Sequence, residues 1–248
     1  MARVRIIPVL LLHNGGLYKT VRFKNAAYIG DPINSVRIFN EKEADELMVL
    51  DFRATKENKG INFSKIEEMA GEAFMPMAYG GGIKSFDDAK KVFDAGFEKI
   101  VLNSILFSKP QLVKEITAVY GAQAVIGVMD VNKNFFGKPK VFSHSGTTNT
   151  GYAPVEWAKN VESMGVGEIM MNSIELDGTW TGYDLNLVEK VSQVLSVPLI
   201  ACGGAGNVMH LKNAVEAGAS AVAAGSMFVY QKKGMGVLIS FPSEVINK

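Results

Sequence analysis

Two glycine-rich turns are the first candidates for chemistry in this sequence. Each turn follows an apolar segment and precedes a helical one, and the next apolar segment then ends in small polar residues. The residues are Gly81, Gly82, Asn103 and Ser104 in the first copy, and Gly203, Gly204, Gly225 and Ser226 in the second. Glycine lets backbone N–H groups approach an anion closely, and a following helix N-terminus adds positive partial charge. Two copies favour a ligand with two phosphates, or the inherited remains of such a site, over glycines that only make tight turns.

Three carboxylates stand where an enzyme could use them. Asp130 ends an apolar segment, where acid–base catalysis is a more common role than a structural one. Asp51 and Asp177 are further candidates, and each can instead be a solvated loop carboxylate. Cys202, the only cysteine, lies in an apolar run and is predicted to be a small core residue rather than a nucleophile. A single cysteine excludes an internal disulfide and a multi-cysteine metal site, and we predict neither a metal nor a cofactor.

Four charged residues occur at or near the starts of predicted strands. They are Arg5, Glu46, Lys99 and Glu168. Two acids and two bases at one end of a barrel can form a ring of salt bridges that closes its floor. The alternative is that these charges are solvated or serve stability, which is usual on that face.

The segments that position these residues alternate regularly between short apolar runs and amphipathic helical stretches. Strands are predicted at residues 4–12, 46–52, 75–79, 99–103, 124–130, 168–172, 198–202 and 221–225, and helices at 64–74, 85–95, 109–120, 153–164, 185–195 and 207–217. Strands that are apolar throughout indicate a parallel sheet covered by helices. Eight such units in 248 residues favour a closed α/β fold, the (β/α)8 TIM barrel, over an open sheet. No linker divides the chain, so residues 1–248 are predicted to form a single domain.

An internal repeat supports a barrel built from two halves. The segment AYGGGI at residues 78–83 returns as ACGGAG at 201–206, and each is followed by a helix that ends in Ala-Gly. Glu46 and Glu168 open strands at the same offset, about half the chain. The match extends well beyond two glycine turns, which indicates a two-fold half-barrel repeat.

Composition excludes several classes of protein. The net charge of +1 gives no broad electrostatic attraction for nucleic acid or for a membrane surface. No apolar run approaches 18 residues, and the N-terminus leads directly into a strand pattern instead of a signal peptide. We therefore expect a cytoplasmic protein that binds neither nucleic acid nor membrane.

With these motifs in place, the sequence resembles the HisF family, the cyclase subunits of imidazole glycerol phosphate synthase. The motifs are Gly30-Asp-Pro32, Asp45-Glu-Leu47, Gly80-Gly-Gly-Ile83, Gly167-Glu-Ile169, Asp177-Gly-Thr179 and Gly203-Gly-Ala-Gly206, within a resemblance that covers residues 3–230. The related isomerase, HisA, shares the repeat and the phosphate turns but matches the strand-start charges less well.

The resemblance implies acid–base roles for two aspartates, at the ends of the first and fifth strands. Asp130 matches the second of them, but Leu11 stands at the first, and a leucine cannot carry a proton. Lys19 matches a lysine of the first loop that contacts substrate, and we predict it as catalytic with Asp130. Asn172 stands where a threonine is usual. The predicted substrate- and phosphate-binding residues are Asp51, Gly81, Gly82, Asn103, Ser104, Asn172, Asp177, Gly203, Gly204, Gly225 and Ser226.

The resemblance also implies an ammonia route through the barrel. In this family a HisH-like glutaminase releases ammonia at the N-terminal face, and Arg5, Glu46, Lys99 and Glu168 match the gate that admits it. The ammonia then crosses the barrel to a phosphorylated small-molecule substrate at the opposite face. Arg5 and Leu11 share a strand face, so the gate lies roughly 20 Å below the lost acid.

The sequence leaves three functions to be compared. Residues 8–12, 17–23, 39–45, 226–230 and 237–242, and a C-terminal run without a long final helix, look like a HisF-like branch of surface-polysaccharide pathways. There the barrel supplies ammonia to a third protein, a WbpG-type amidotransferase that makes an acetamidino sugar. The alternative is a cyclase of histidine biosynthesis in which Asp51 or Asp177 assists Asp130. A HisA-like isomerase is least favoured, because isomerisation also needs paired acid–base groups and has no ammonia gate.

Overall fold

Twelve β-strands form one sheet in the computed structural model, which describes residues 3–242. In chain order they are β1 (Arg5–His13), β2 (Gly16–Val21), β3 (Lys24–Gly30), β4 (Leu47–Asp51), β5 (Met77–Gly80), β6 (Lys99–Leu102), β7 (Val125–Lys133), β8 (Pro139–Ser143), β9 (Thr148–Asn149), β10 (Glu168–Ser173), β11 (Leu199–Cys202) and β12 (Ala221–Ala224).

Eight of these strands close into a barrel. The hydrogen-bonded order is β1, β4, β5, β6, β7, β10, β11 and β12, and β12 pairs with β1 to complete the circle. All eight pairings are parallel, so the carboxyl ends of the strands meet at one rim. The predicted (β/α)8 barrel is confirmed.

Helices connect the barrel strands. They are α1 (Pro32–Glu41), α2 (Phe63–Ala70), α3 (Phe86–Asp94), α4 (Ile105–Ser108), α5 (Gln111–Tyr120), α6 (Pro154–Ser163), α7 (Leu185–Ser192), α8 (Val208–Glu216) and α9 (Ser226–Val229). Five begin at a side chain that accepts the backbone N–H three residues later, namely Asp31, Asn62, Ser85, Asp184 and Asn207. Such caps satisfy N–H groups that have no partner within the helix, so these polar residues fix where the helices begin.

The alternation of side chains along each strand divides the apolar core in two. Ile7 and Val9 of β1 point into the barrel, where they join a compact interior cluster. Ile6 and Leu10 of the same strand point outward and pack beneath the helices. Both faces of the strand are therefore buried, which explains why these segments are apolar at successive positions.

Two antiparallel hairpins and three helices, α1, α4 and α9, extend the predicted element order. The strands β2 and β3 continue from β1, and β8 and β9 continue from β7. Because of its hairpin, β7 runs to Lys133, three residues beyond the predicted end. The helix α1 was not predicted, although Asp31 caps it and Pro32 opens it.

Several predicted boundaries were wrong by a few residues. The helices predicted at 64–74 and 185–195 end at Ala70 and Ser192. Met75 lies before β5 instead of within it. Within residues 231–242 the chain forms no helix and turns back, so that Tyr230 pairs with Val237. The sequence predicts no long final helix after Gln231, and residues 243–248 of that run lie outside the described residues. No helix within 3–242 has the length and apolar character to cross a membrane.

Gly167, just before β10, lies too close to a neighbouring backbone segment to carry a side chain without a shift. A Cβ at Gly167 would overlap the backbone carbonyl of Ala122, in the 3₁₀ turn Ala122–Ala124. We expect Gly167→Ala to lower the free energy of unfolding by about 1–3 kcal/mol, because the backbone must shift. Gly60→Ala is the matched control, since a Cβ there meets nothing within 4 Å. Urea unfolding of the two variants measures the difference, and equal stabilities would contradict the contact.

Candidate functional site

A cavity of about 450 Å³ opens at the rim where the barrel strands end. Every residue predicted for catalysis, substrate binding or phosphate binding lines it. These are Lys19, Asp51, Gly81, Gly82, Asn103, Ser104, Asp130, Asn172, Asp177, Gly203, Gly204, Gly225 and Ser226. The sequence therefore located the residues of one cavity, contributed by loops from both halves of the barrel.

Asp130 is the most strongly perturbed acid of this cavity. Its side chain points inward from β7 and is only 7% exposed. The side-chain amide of Asn103 donates to one carboxylate oxygen at 2.9 Å, and that of Asn172 donates to the other at 3.3 Å. Burial raises the pKa of Asp130 to about 7, although both amides oppose the shift. An acid that titrates near neutral pH can give or take a proton in catalysis.

Leu11 forms part of an apolar patch in the wall of the same cavity. It is paired in register with Leu50 of β4, and both side chains pack against the interior cluster together with Cys202. Burial raises the pKa of the Cys202 thiol to about 12, so the thiol stays protonated and is a weak nucleophile. As predicted, Cys202 packs with apolar residues, although it also lines the cavity. Leu11 itself offers no group for proton transfer.

The hairpin of β2 and β3 brings Lys19 into the cavity. Lys19 is 4% exposed, and its ammonium lies against Gly225, where a Cβ would overlap it. Burial lowers the pKa of Lys19, although the charge of Asp177 opposes this shift. Thr20 holds the hairpin at the loop after β10, because its hydroxyl donates to Asp177 at 3.1 Å. The hairpin is thus tied to a loop on another side of the mouth.

The other two candidate carboxylates are held by local contacts. Burial raises the pKa of Asp177, against the charge of Lys19 and the hydrogen bond of Thr20. Burial also raises the pKa of Asp51, whose carboxylate accepts backbone N–H groups of the following turn. Both acids are therefore built into the loop structure instead of being free in solvent.

The backbone at the two glycine turns requires glycine, whether or not a ligand binds there. Gly81 has φ +105° and Gly203 has φ +90°, conformations that other residues rarely adopt. A Cβ at Gly81 would overlap the carbonyl of Asp51, and one at Gly203 would lie 2.6 Å from the carbonyl of Ser173. The two turns thus pack on equivalent strand ends in the two half barrels. Phosphate binding at these turns stays a prediction.

Several cavity residues were not predicted from the sequence. They are Phe23 from the first hairpin, His144 and Ser145 from the turn after β8, and Thr20. His144 and Ser145 have positive φ, and the backbone N–H of His144 donates to the Ser104 hydroxyl at 3.0 Å. Asn and Gly signals around these turns indicate hairpins, but they give no indication that the hairpins fold over the mouth.

At the opposite end, the four strand-start charges form a closed ring. Arg5 donates to Glu46 at 2.6 Å and to Glu168 at 2.5 Å. Lys99 donates to the same two acids at 2.9 and 2.8 Å. Although burial works against ionisation, the hydrogen bonds and charges of Arg5 and Lys99 lower the pKa of Glu168. Each acid contacts both bases, so the ring is neutral and mutually paired.

Between the ring and the cavity, the barrel axis is apolar. The inward side chains there are at most 5% exposed. They are Ile7, Val9, Met48, Ala78, Val101, Ile126, Val128, Met170, Ile200, Ala221 and Ala223. Within residues 3–242, no group of three or more His, Cys, Asp or Glu side chains is placed to hold a metal ion.

Comparisons with known proteins agree with one another. The family model described as "Histidine biosynthesis protein" matches residues 5–234. A Pseudomonas aeruginosa protein described as "Putative imidazole glycerol phosphate synthase subunit hisF2" is 48% identical over 100% of this chain and 98% of that protein. A Leptospira borgpetersenii protein with the corresponding description for HisF is 44% identical over 98% and 96%. An Exiguobacterium sibiricum protein described as "Imidazole glycerol phosphate synthase subunit HisF" is 41% identical over 92% and 91%.

The burial of Asp130 predicts a specific pH dependence of stability. Its pKa of about 7 in the folded chain exceeds that of an unfolded aspartate, so the folded state binds the proton more tightly. This residue should therefore reduce stability as pH rises from about 4 to about 7, by at most about 1.4 kcal/mol per pH unit. Asp130→Asn removes the effect, so its stability relative to wild type should rise over the same interval.

Denaturant unfolding at pH 5, 6, 7 and 8 measures this difference. Asp94→Asn, at a side chain that is 56% exposed on α3, is the matched control for the substitution itself. A difference between wild type and Asp130→Asn that stays constant from pH 5 to pH 8 contradicts the raised pKa.

Proposed function

Since the chain belongs to the HisF family of histidine biosynthesis proteins, we propose that it is the barrel subunit of a glutamine amidotransferase complex that conducts ammonia without a cyclase reaction of its own. It receives ammonia from a HisH-like glutaminase at the end where the strands begin. It passes the ammonia through the barrel to an acceptor at the rim where the strands end.

The observation that carries this proposal is Leu11. Ring closure and bond cleavage need an acid and a base on the reacting atoms, and each contributes roughly 10²–10⁴ in rate. Asp130 supplies one titratable group, with a pKa of about 7. Across the barrel from it, Leu11 of β1 and Leu50 of β4 supply only apolar surface. The cavity thus keeps one member of the catalytic pair that the family resemblance implies.

The lower half of the barrel supports a retained conduit. The ring of Arg5, Glu46, Lys99 and Glu168 is complete, with every acid paired to two bases. Above it the axis is lined by apolar side chains, which favour neutral ammonia over ammonium. A closed floor and an apolar axis suit a route that admits ammonia from a partner and excludes ions.

The acceptor that we propose is a WbpG-type amidotransferase that makes an acetamidino sugar for a surface polysaccharide. The support is the sequence likeness of residues 8–12, 17–23, 39–45, 226–230 and 237–242 to that branch of HisF-like proteins. The relatives are described as subunits, which is consistent with an assembly of more than one chain. A phosphorylated ligand at the glycine turns is compatible with this role.

One observation favours the alternative, a cyclase of histidine biosynthesis. Asp177 lies in the same cavity, and burial raises its pKa. The charge of Asp177 in turn raises the pKa of Asp130. Two electrostatically coupled carboxylates can divide acid and base roles. Asp177 is, however, engaged by Thr20 and by the charge of Lys19, so it already serves the hairpin.

Complementation of a histidine auxotroph separates the two functions. We expect the wild-type chain, produced with its glutaminase in a strain that lacks the cyclase, to give no growth without histidine. Leu11→Asp should restore measurable growth, because it returns a carboxylate to the position that the resemblance assigns to the first acid. Formation of imidazole glycerol phosphate by the purified proteins with ammonium is the second measurement.

Leu50→Asp is the matched control. It places the same carboxylate on the neighbouring strand, at the position paired with Leu11 in register. Growth with Leu50→Asp equal to that with Leu11→Asp would show that position does not matter. Growth with the wild-type chain itself would overturn the proposed function and establish the alternative.

Removal of one base should open the floor ring. We expect Lys99→Ala to destabilise the chain by about 3–5 kcal/mol, because it leaves two buried acids with one partner. In the complex with glutaminase and acceptor enzyme, ammonia should then exchange with bulk solvent. The measurement supplies ¹⁵N-amide glutamine and unlabelled ammonium, and the product of Lys99→Ala should contain less ¹⁵N than that of wild type.

Lys90→Ala serves as the control for the loss of a lysine. Lys90 pairs with Asp94 on the barrel surface, where both side chains are more than half exposed. Its product should keep the wild-type ¹⁵N content, and an equal fall in both variants would contradict a gate at Lys99.

A further inference from the structure

Asn103, Asp130 and Asn172 form a cluster at the upper end of the barrel axis. Asn103 directly follows β6, Asp130 lies on β7 and Asn172 lies on β10, and these three strands are neighbours in the barrel. Both asparagines direct their amide nitrogens at the carboxylate of Asp130. As a result, both amide oxygens, Oδ1 of Asn103 and Oδ1 of Asn172, are buried without a hydrogen-bond partner.

This cluster is rich in acceptors and lacks a donor for them. A buried acceptor without a partner costs about 1–3 kcal/mol, so two such atoms favour any ligand that can donate to them. Asn172 and Asp130 are both more than nine-tenths buried, which limits the ligand to a small one. The ionised form of Asp130 adds a preference for positive charge. The cluster therefore suits a small ligand with several N–H groups.

Among the described residues, the charged and titratable groups around the cluster supply neither a hydrogen-bond donor for the two amide oxygens nor a cation for the carboxylate. Asp177 adds negative charge that acts on Asp130. Cys202 keeps its proton and is neutral. Lys19 and Lys84 are both cations of the cavity wall. The ammonium of Lys19 lies against Gly225 and that of Lys84 donates to Asn58, and no hydrogen bond joins either lysine to the cluster within the described residues. The carboxylate thus has amide donors and no ion-pair partner among residues 3–242.

The position of the cluster identifies the ligand. Each member stands two residues beyond an apolar side chain on the same strand face, so Val101, Val128 and Met170 lie directly below it. Ammonia that rises along this axis meets no polar side chain until it reaches the three residues. A sugar hydroxyl enters from the open rim instead and meets the wider cavity first.

We propose that Asn103, Asp130 and Asn172 form a holding site for ammonia at the exit of the barrel, where the two free amide oxygens and the carboxylate accept its N–H groups. The proposal rests on the proposed function, because it assumes that ammonia travels along the axis. While Asp130 is ionised, neither the carboxylate nor the two amide oxygens can give a proton to ammonia, so the molecule stays nucleophilic until an acceptor arrives. The ammonium ion, which has four N–H donors and a positive charge, binds the same site when Asp130 is ionised.

Titration of Asp130 in the isolated full-length chain tests the proposal. The ¹³C signal of its carboxyl group is followed by NMR from pH 5 to pH 9 in ammonium chloride, and in sodium chloride of equal ionic strength. Ammonium that binds the ionised cluster should lower the midpoint of the titration. At ten times its dissociation constant, the shift is about one pH unit. Tetramethylammonium chloride, a cation without N–H groups, should give the sodium result.

Two variants locate the effect, and each is checked for folding by thermal unfolding. Asn172→Leu and Asn103→Leu each remove an amide oxygen, and the response of Asp130 to ammonium should fall at least several-fold in either. Asn132→Leu is the matched control, because Asn132 lies on β7 beyond Asp130 and outside the cavity lining. A structural role alone would move the midpoint in sodium chloride without removing the response to ammonium.

The outcomes separate this proposal from the proposed function. A wild-type midpoint that is equal in ammonium and sodium overturns the holding site, whatever the complex does. A response that survives in both asparagine variants also overturns it. An ammonium response in a chain that rescues a histidine auxotroph overturns the proposed function and leaves the site standing, since binding is measured without glutaminase or acceptor.

Discussion

Closure of eight parallel strands is the constraint on which the rest of this molecule depends. In a closed barrel every second residue of a strand must point to the axis, so the interior is a set of stacked layers. Arg5, Ile7, Val9 and Leu11 of β1 climb through those layers, from the ionic floor through the apolar middle to the mouth. The position of a residue along its strand sets its height along the barrel axis. The residue type at that position therefore sets the chemistry of the layer. A change in one layer therefore leaves the others in place.

The sequence was most informative where periodicity and strand position decide structure. It located all eight barrel strands, thirteen of the residues that line the cavity and the four members of the floor ring, since strand ends and strand starts must gather at opposite rims. It did not reveal which hydrogen bonds form within those sets. The unpaired oxygens of Asn103 and Asn172 depend on the rotation of two side chains and on their distance from Asp130, which no pattern encodes. It also missed the hairpins, whose strands are short, partly exposed and rich in polar residues.

The mouth of the cavity is built partly from the ends of the barrel strands and partly from the two hairpins. The barrel supplies Asp130 and the glycine turns from strand ends, whereas Lys19 and Thr20 arrive on β2, which pairs with β1 along one edge only. Phe23 at the tip packs close to Gly146, in the turn that follows β8, so the two hairpins meet over the cavity. Their contacts, such as that of Thr20 with Asp177, determine how the buried lysine and the buried acids balance one another. The electrostatics of the floor depend on the barrel alone, and those of the mouth depend on the hairpins as well.

The floor ring and Leu11 differ in how each can change over generations. Every member of the ring contacts two others, so the loss of any one leaves opposite charges short of a partner at a largely buried position. Selection for stability alone therefore acts against each single substitution in the ring. Leu11 has no such partners, and an acid there can give way to an apolar residue without leaving a charge behind. An acid at position 11 can thus be exchanged for an apolar residue in one substitution, whereas removal of the floor ring requires several substitutions, each of which leaves a charge with fewer partners. Substitutions that preserve stability are therefore expected to accumulate more readily at the mouth of such a barrel than in its floor ring.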